Sequence, residues 1–232
     1  MRPRSPGNVG GVARAVANHG IGGLVLVDPP AYDPDLARWM APNAAHVVEG
    51  AEIVARVEDA VADCALVVGT TSRERRFGWP VVGPAELMAR LDQTPGTIAV
   101  VFGPEDTGLS NEDLRLCDIL LRLPTASHPS LNLSMAAAVI GAWLIGAPER
   151  PPRALGLAAP LPAGLRAGLM HDGMELLAQT DYLRSHSPEQ AHSTLFRLLG
   201  GLQVEASQAA ALRGMAKAIK ARMGVAFAPR GG

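Results

Sequence analysis

Four short apolar runs punctuate the first 124 residues: LVLVD at 24–28, ALVVGTT at 65–71, TIAVVFG at 97–103 and ILLRLP at 119–124. Runs of that length without polar alternation are buried on both faces, the habit of strands in a parallel sheet. Between them lie stretches with helical spacing at 10–19, 57–62, 84–91 and 111–117, and a fifth follows at 133–145. Strand and helix in alternation predict an α/β fold, a parallel sheet with helices on both faces. Ser110 with Asp113 three residues on resembles a capping box, placing a helix start directly after the loop GPEDTGL. The helix at 133–145 carries no charge, so it is expected to be buried on nearly all sides, together with the polar loop PTASHPSLN before it.

Near Gly146 the pattern breaks into GAPERPPRALGLAAPLPAG, whose prolines and glycines sustain neither period. Three parts are therefore expected: a domain at 1–148, a linker at 149–163 and a helical module at 164–232. Within the module, Ser187-Pro188-Glu189-Gln190 reads as a helix start, and a further helix is read over 204–223. Its apolar face would hold Leu212, Met215, Ile219 and Met223, with Arg213, Lys217, Lys220 and Arg222 on the rest. Residues 1–149 hold 11 Lys/Arg and 17 Asp/Glu, net −6, whereas residues 150–232 hold 10 and 5, net +5. A basic tail fits an anionic partner or a solvated face. No run is long enough for a membrane span and the N-terminus lacks a signal-peptide core, so the cytoplasm is the expected compartment. Cys64 and Cys117 stand apart, without metal-ligand spacing, and are read as reduced core thiols.

In a doubly wound sheet, ligands bind beyond the carboxyl ends of the strands. Polar or glycine-rich loops fall at such places: GTTSRER from Gly69, GPEDTGLS from Gly103, PTASHPSLN from Pro124, and SPGNVGG ahead of the first helix. GNVGG matches neither the dinucleotide nor the nucleoside-triphosphate fingerprint. Ser130 and His128 lack the nucleophile-elbow context and sit too close in sequence for a nucleophile and base, which disfavours hydrolysis.

Those same stretches, PGNVGGVARAVANHGIGGLVLVDP, VVGTTSRER, VFGPEDTGLSNEDLRLCD and LPTASHPSLNLSMAAAV, together resemble the ordered motifs of the SPOUT superfamily of RNA methyltransferases. The resemblance is strongest to tRNA 2′-O-methyltransferases of the TrmJ type, and runs from about residue 2 to 144. It implies a deep C-terminal trefoil knot and S-adenosyl-L-methionine bound within it, without metal. The cofactor residues it implies are Thr70, Thr71, Ser72, Gly103, Pro104, Glu105, Gly108, Leu123, Pro124, Ser130, Leu131 and Leu133. Arg14, Asn8, Ser130, Asn132 and Glu105 are implied as catalytic. A guanidinium has only donors and a pKa above about 12, so Arg14 suits a phosphate clamp better than a base. For Glu105, a charge at the N-terminus of the helix beginning near Asn111 is the plainer reading.

Arg73, Arg75, Arg76, Arg213, Lys217 and Lys220 are the expected RNA contacts, with tRNA as partner, no membrane, and a homodimer in which Arg14 reaches the partner's cofactor. The anticodon loop, nucleotide 32, is the implied target; ribosomal RNA, another tRNA position or a non-catalytic RNA-binding role are the alternatives. Relatives usually begin with a strand just before the RP of the first motif, so the sheet here is expected to lack an edge strand unless the start codon lies further upstream.

Overall fold

All four apolar runs form strands in the computed structural model, which describes residues 1–30, 32–73, 79–145, 161–201 and 206–222. In chain order the strands are β1 (Val25–Val27), β2 (Glu52–Val54), β3 (Leu66–Thr70), β4 (Val81–Val82), β5 (Ile98–Val101) and β6 (Ile119–Leu121). The helices of the first part are α1 (Pro6–Asn18), α2 (Pro34–Trp39), α3 (Ala45–Glu49), α4 (Val57–Val61), α5 (Pro84–Gln93), α6 (Asn111–Leu114) and α7 (Leu133–Ile145). β2 and β4 escape a sequence reading because three and two residues carry no period. The capping box at Ser110 and Asp113 is present as expected, and Asp113 also receives the Arg2 guanidinium at 2.7 Å.

Every strand pair is parallel, and the order β4-β6-β3-β5 puts β3 and β6 at the centre. Val68 of β3 lies opposite Val100 on one side and Ile119 on the other, and is fully buried. β1 and β2 form a separate two-stranded sheet.

The division of the sheet has a local cause. β1 and β5 face each other across an apolar cavity of about 740 Å³, walled by Val12 and Val16 of α1, Val57 and Val61 of α4, and Ile140 of α7. At its far end the Met1 ammonium donates to the Phe102 carbonyl at 2.9 Å, and the Arg2 N–H donates to the Val27 carbonyl at 2.8 Å. Met1 and Arg2 thus tie β5 and β1 together by one hydrogen bond each, without forming a strand between them.

The uncharged α7 corrects the sequence reading. Only Ala137, Ile140 and Gly141 are buried, against α1 and the sheet, while Met135 is 62%, Val139 37% and Ile145 59% exposed. The polar loop before it is mostly exposed as well. Absence of charge therefore does not by itself place a helix in the interior.

The tail forms α8 (Ala163–Ala178), α9 (Tyr182–Ser185), α10 (Pro188–Gly201) and α11 (Ala206–Arg222). It docks at the amino ends of β3 and β6. Ala163 N–H donates to the Cys64 carbonyl and Gly164 N–H to Ala62, both at 2.9 Å. Arg166 reaches Asp118 at 2.5 Å and the carbonyls of Ala65 and Leu161 at 3.0 and 2.7 Å. Leu161 packs with Leu169 and Ala209, so the packed module begins ahead of residue 164; most of the expected linker lies outside the described residues.

The apolar face expected on α11 also needs correction. Leu212, Met215 and Ile219 are 41%, 61% and 50% exposed, whereas Ala209, Ala216 and Lys220 are buried; Met223 lies outside the described residues. Small alanines permit a close approach to α8, and the buried Asp172 on α8 draws the cations inward: Arg213 at 2.8 Å and Lys220 at 3.4 Å.

Two outcomes follow from these contacts. Burial, reinforced by Arg2, lowers the pKa of the Met1 ammonium from 8.0 to about 6, so the unfolded state binds more protons between those values. Stability should then rise with pH across that window in denaturant unfolding, and N-terminal acetylation, which replaces the ammonium by an amide, should abolish that rise. Arg166→Ala leaves Asp118 buried and unpaired, and denaturant unfolding should show a loss of about 3–5 kcal/mol.

Candidate functional site

Three loops converge at the carboxyl ends of β3, β5 and β6, around a pocket of about 340 Å³. Thr70, Thr71, Ser72 and Arg73 follow β3; the segment from Phe102 to Leu109 follows β5; Leu121, Leu123 and the stretch from Pro129 to Leu133 come from β6 and its loop, with Ala136 on α7. Of the cofactor residues expected from the sequence, Thr70, Thr71, Ser72, Gly103, Pro104, Glu105, Gly108, Leu123, Ser130, Leu131 and Leu133 are brought together here, and Pro124 lies outside the lining.

The loop after β5 is shaped by its two glycines. A Cβ at Gly103 would stand 2.2 Å from the Gly108 carbonyl carbon and the Leu109 nitrogen, so backbone meets backbone without a side chain between. Gly108 turns the chain at φ +68°, and its N–H closes on the Pro104 carbonyl at 2.8 Å. Thr70 Oγ1 donates to the Val101 carbonyl at 3.1 Å, tying β3 to β5 at the pocket floor.

Glu105 meets the start of α1, not of α6 as the plainer reading had it. Its carboxylate accepts the Arg4 N–H at 3.0 Å, the Ser5 N–H at 3.3 Å and the Asn8 amide at 2.7 Å. Burial pushes its pKa up, but these hydrogen bonds, Asn8 foremost, outweigh burial and hold it below the usual carboxylate range. A carboxylate so held is a poor proton acceptor at neutral pH. Asn8 accepts in turn from the Asn132 amide at 2.9 Å. This chain of contacts was not legible in the sequence, because its members lie about a hundred positions apart.

Arg14 is exposed on α1, outside the pocket lining, and has no hydrogen-bond or ion-pair partner among the described residues. His128 contacts Ser127 Oγ at 3.1 Å through Nδ1, so it is not paired with Ser130. Cys64 and Cys117 are buried free thiols, and burial pushes Cys117 up to about 12. Among the expected RNA contacts, Arg73 borders the pocket and Lys217 is exposed, while Arg75 and Arg76 lie outside the described residues. Arg213 and Lys220 are corrected: both are spent on Asp172, and Lys220 also on Glu175, so neither is a free surface cation.

A parallel α/β sheet whose carboxyl-end loops enclose one cleft, with the helix after the last strand packed on the first helix, is consistent with the SPOUT class of methyltransferase folds. A sequence profile of the SpoU rRNA Methylase family matches residues 1–142, and the chain belongs to that family. It is 34% identical over 223 residues to the tRNA (cytidine/uridine-2'-O-)-methyltransferase TrmJ of Klebsiella pneumoniae, covering 92% of this chain and 91% of the relative. The tRNA (cytidine/uridine/adenosine-2'-O-)-methyltransferase TrmJ of Pseudomonas aeruginosa is 38% identical over 149 residues, 60% of this chain and 58% of that one. The crystal structure of TrmJ from Z. mobilis ZM4 superposes with a TM-score of 0.77 at 27% identity, over 94% of this chain and 96% of that one.

Gly103→Ala should drive the loop after β5 off the pocket floor. Calorimetric titration with S-adenosylmethionine is expected to show at least a hundredfold loss of affinity, and Tm should fall as well because the same loop ends on Leu109, a buried core residue.

Proposed function

We propose that this protein transfers a methyl group from S-adenosyl-L-methionine to a ribose 2′-hydroxyl of tRNA in the anticodon loop, at nucleotide 32. The reading is carried by the convergence of three strand-end loops on one cleft with Ser130, Asn132 and Glu105 on its wall. Likeness over nearly the whole chain to curated tRNA 2′-O-methyltransferases supports it.

The residues present suit that cofactor. Gly108 leaves backbone open to a flat ligand, Leu123, Leu131, Leu133 and Ala136 offer apolar surface, and Glu105 with Asp106 complements a cation. When bound, S-adenosylmethionine supplies an activated methyl on a sulfonium leaving group. What remains for the protein is to position the two reactants and manage one proton. Asn132 and Ser130 can hold the hydroxyl at the pocket wall, and Arg14 suits a clamp on the adjacent phosphate.

Arg14 does not line the pocket of its own chain, and α7, which packs on α1, exposes the uncharged Met135 and Val139. Both observations favour a two-fold homodimer in which Arg14 serves the partner's cleft. For tRNA docking, the described tail offers Lys217 and Arg222 as exposed cations, with Arg73 at the pocket edge. Its position at the amino ends of the strands sets it away from its own pocket, so an RNA held by both spans the sheet or two protomers. The cytoplasm is the compartment this reading implies; no helix among the described residues is long and apolar enough to cross a membrane.

Mass spectrometry of ribose methylation in RNA from a gene-disrupted strain should show loss of the 2′-O-methyl group at nucleotide 32 of tRNA. Loss confined to ribosomal RNA would move the substrate to the alternative class. Mixing inactive Arg14→Ala and Asn132→Ala protomers should restore about a quarter of wild-type activity, since half the dimers are mixed and each keeps one whole site.

A further inference from the structure

We propose that Ser134, the second residue of α7, is a positioning residue of the methyl-transfer site: it orients the Asn132 amide, and through it a one-way chain of hydrogen bonds that runs to Asn8 and ends on Glu105. The proposal rests on the reading of the site given above, and adds to it a residue whose side chain stands outside the pocket lining.

The direction of the chain follows from what each atom can do. A backbone N–H only donates, so the Asn132 atom 2.9 Å from Ser134 N is its oxygen, Oδ1. Ser134 Oγ donates to the same oxygen at 2.7 Å. With Oδ1 so engaged, Asn132 Nδ2 faces Asn8 at 2.9 Å, where only Asn8 Oδ1 can accept. Asn8 Nδ2 is thereby turned to Glu105 Oε1 at 2.7 Å. The far end is closed by donors as well, the N–H groups of Arg4 and Ser5. Both ends being fixed by backbone N–H groups, flipping either amide would set like against like.

The N-cap of α7 and the site are thus one object. Asn132 caps the helix with its oxygen, its carbonyl accepts from Ala136 N–H at 2.9 Å, and its second amide hydrogen is left on a residue lining the pocket. The wall consequently offers a donor, which suits the oxygen of a hydroxyl whose charge grows as it reacts. Ser134 is seated by α1: a Cβ at Gly11 would stand 2.6 Å from Ser134 Cβ and 3.0 Å from its Oγ. The close crossing that leaves no room at Gly11 also brings Asn8, one turn earlier on α1, to Asn132.

Ser134→Ala deletes one of the two donors on Asn132 and leaves the backbone cap. The expected result is a kcat lower by about tenfold with KM for tRNA and for S-adenosylmethionine within twofold of wild type, and Tm nearly unchanged. A second readout does not depend on turnover. In 13C NMR of the Glu side chains, with the Glu105 signal assigned by Glu105→Gln, loosening the Asn8 bond should raise the Glu105 midpoint. The other charges about Glu105 are the Met1 ammonium, Arg4 paired with Asp106 at 3.1 Å, and Arg73 across the pocket; Ser134→Ala alters none of them.

An unchanged kcat and Glu105 midpoint would overturn the proposal, as would a kcat loss matched by equal losses of cofactor affinity and Tm. Asn132→Ser gives a further check free of new charge, since a serine keeps a capping oxygen but is too short to donate to Asn8. It should raise the Glu105 midpoint, and a midpoint that stays put would show that the chain does not transmit direction. Wild-type protein that methylates neither tRNA nor ribosomal RNA would refute the methyltransferase reading, and the NMR midpoints would still decide the role of Ser134.

Discussion

The crossing of α1 over α7 is the contact on which the site depends. Gly11 has no side chain, and Ser134 fills the space a Cβ would need. On the other side of α1, a Cβ at Gly10 would collide with the Ala37 carbonyl and with Met40, so the helix is held between α7 and α2 at two points of bare backbone. That spacing brings Asn8 to Asn132, 124 positions away, and Glu105 to the first turn of α1. A wider crossing would leave three polar groups without partners, so packing and polarity enforce one another here.

Charge in this protein is distributed by partnership more than by count. The tail carries five more cations than anions, yet Arg166 is held by Asp118, and Arg213 and Lys220 by Asp172. Burial raises the pKa of Asp118 although Arg166 and the Val67 N–H pull the other way, a sign of how costly an ion is at that depth. These cations fasten α8 to the sheet and α11 to α8. Lys217 and Arg222, by contrast, lie exposed on α11.

Apolar surface follows the same rule. Met135 and Val139 on α7 are as hydrophobic as the core residues Ala137 and Ile140 beside them, but they face away from α1. They stay exposed, as does Arg14, which has no partner among the described residues. The same holds for Leu212, Met215 and Ile219 on α11, where alanines and a buried lysine take the inner face because Asp172 requires cations.

The strands β1, β3, β5 and β6, the capping box at Ser110 and the bounds of α7 were legible in the sequence, since each is set by residues adjacent in the chain: an apolar run, an N-cap, a helical period. The loops of the cleft could be named for the same reason, because parallel strands place their following loops at one end. Only the tertiary structure decided that Glu105 caps α1 and not α6, and that Arg213 and Lys220 turn inward. Each of those outcomes depends on which distant group arrives within hydrogen-bond reach, and a linear pattern of side chains does not encode that distance.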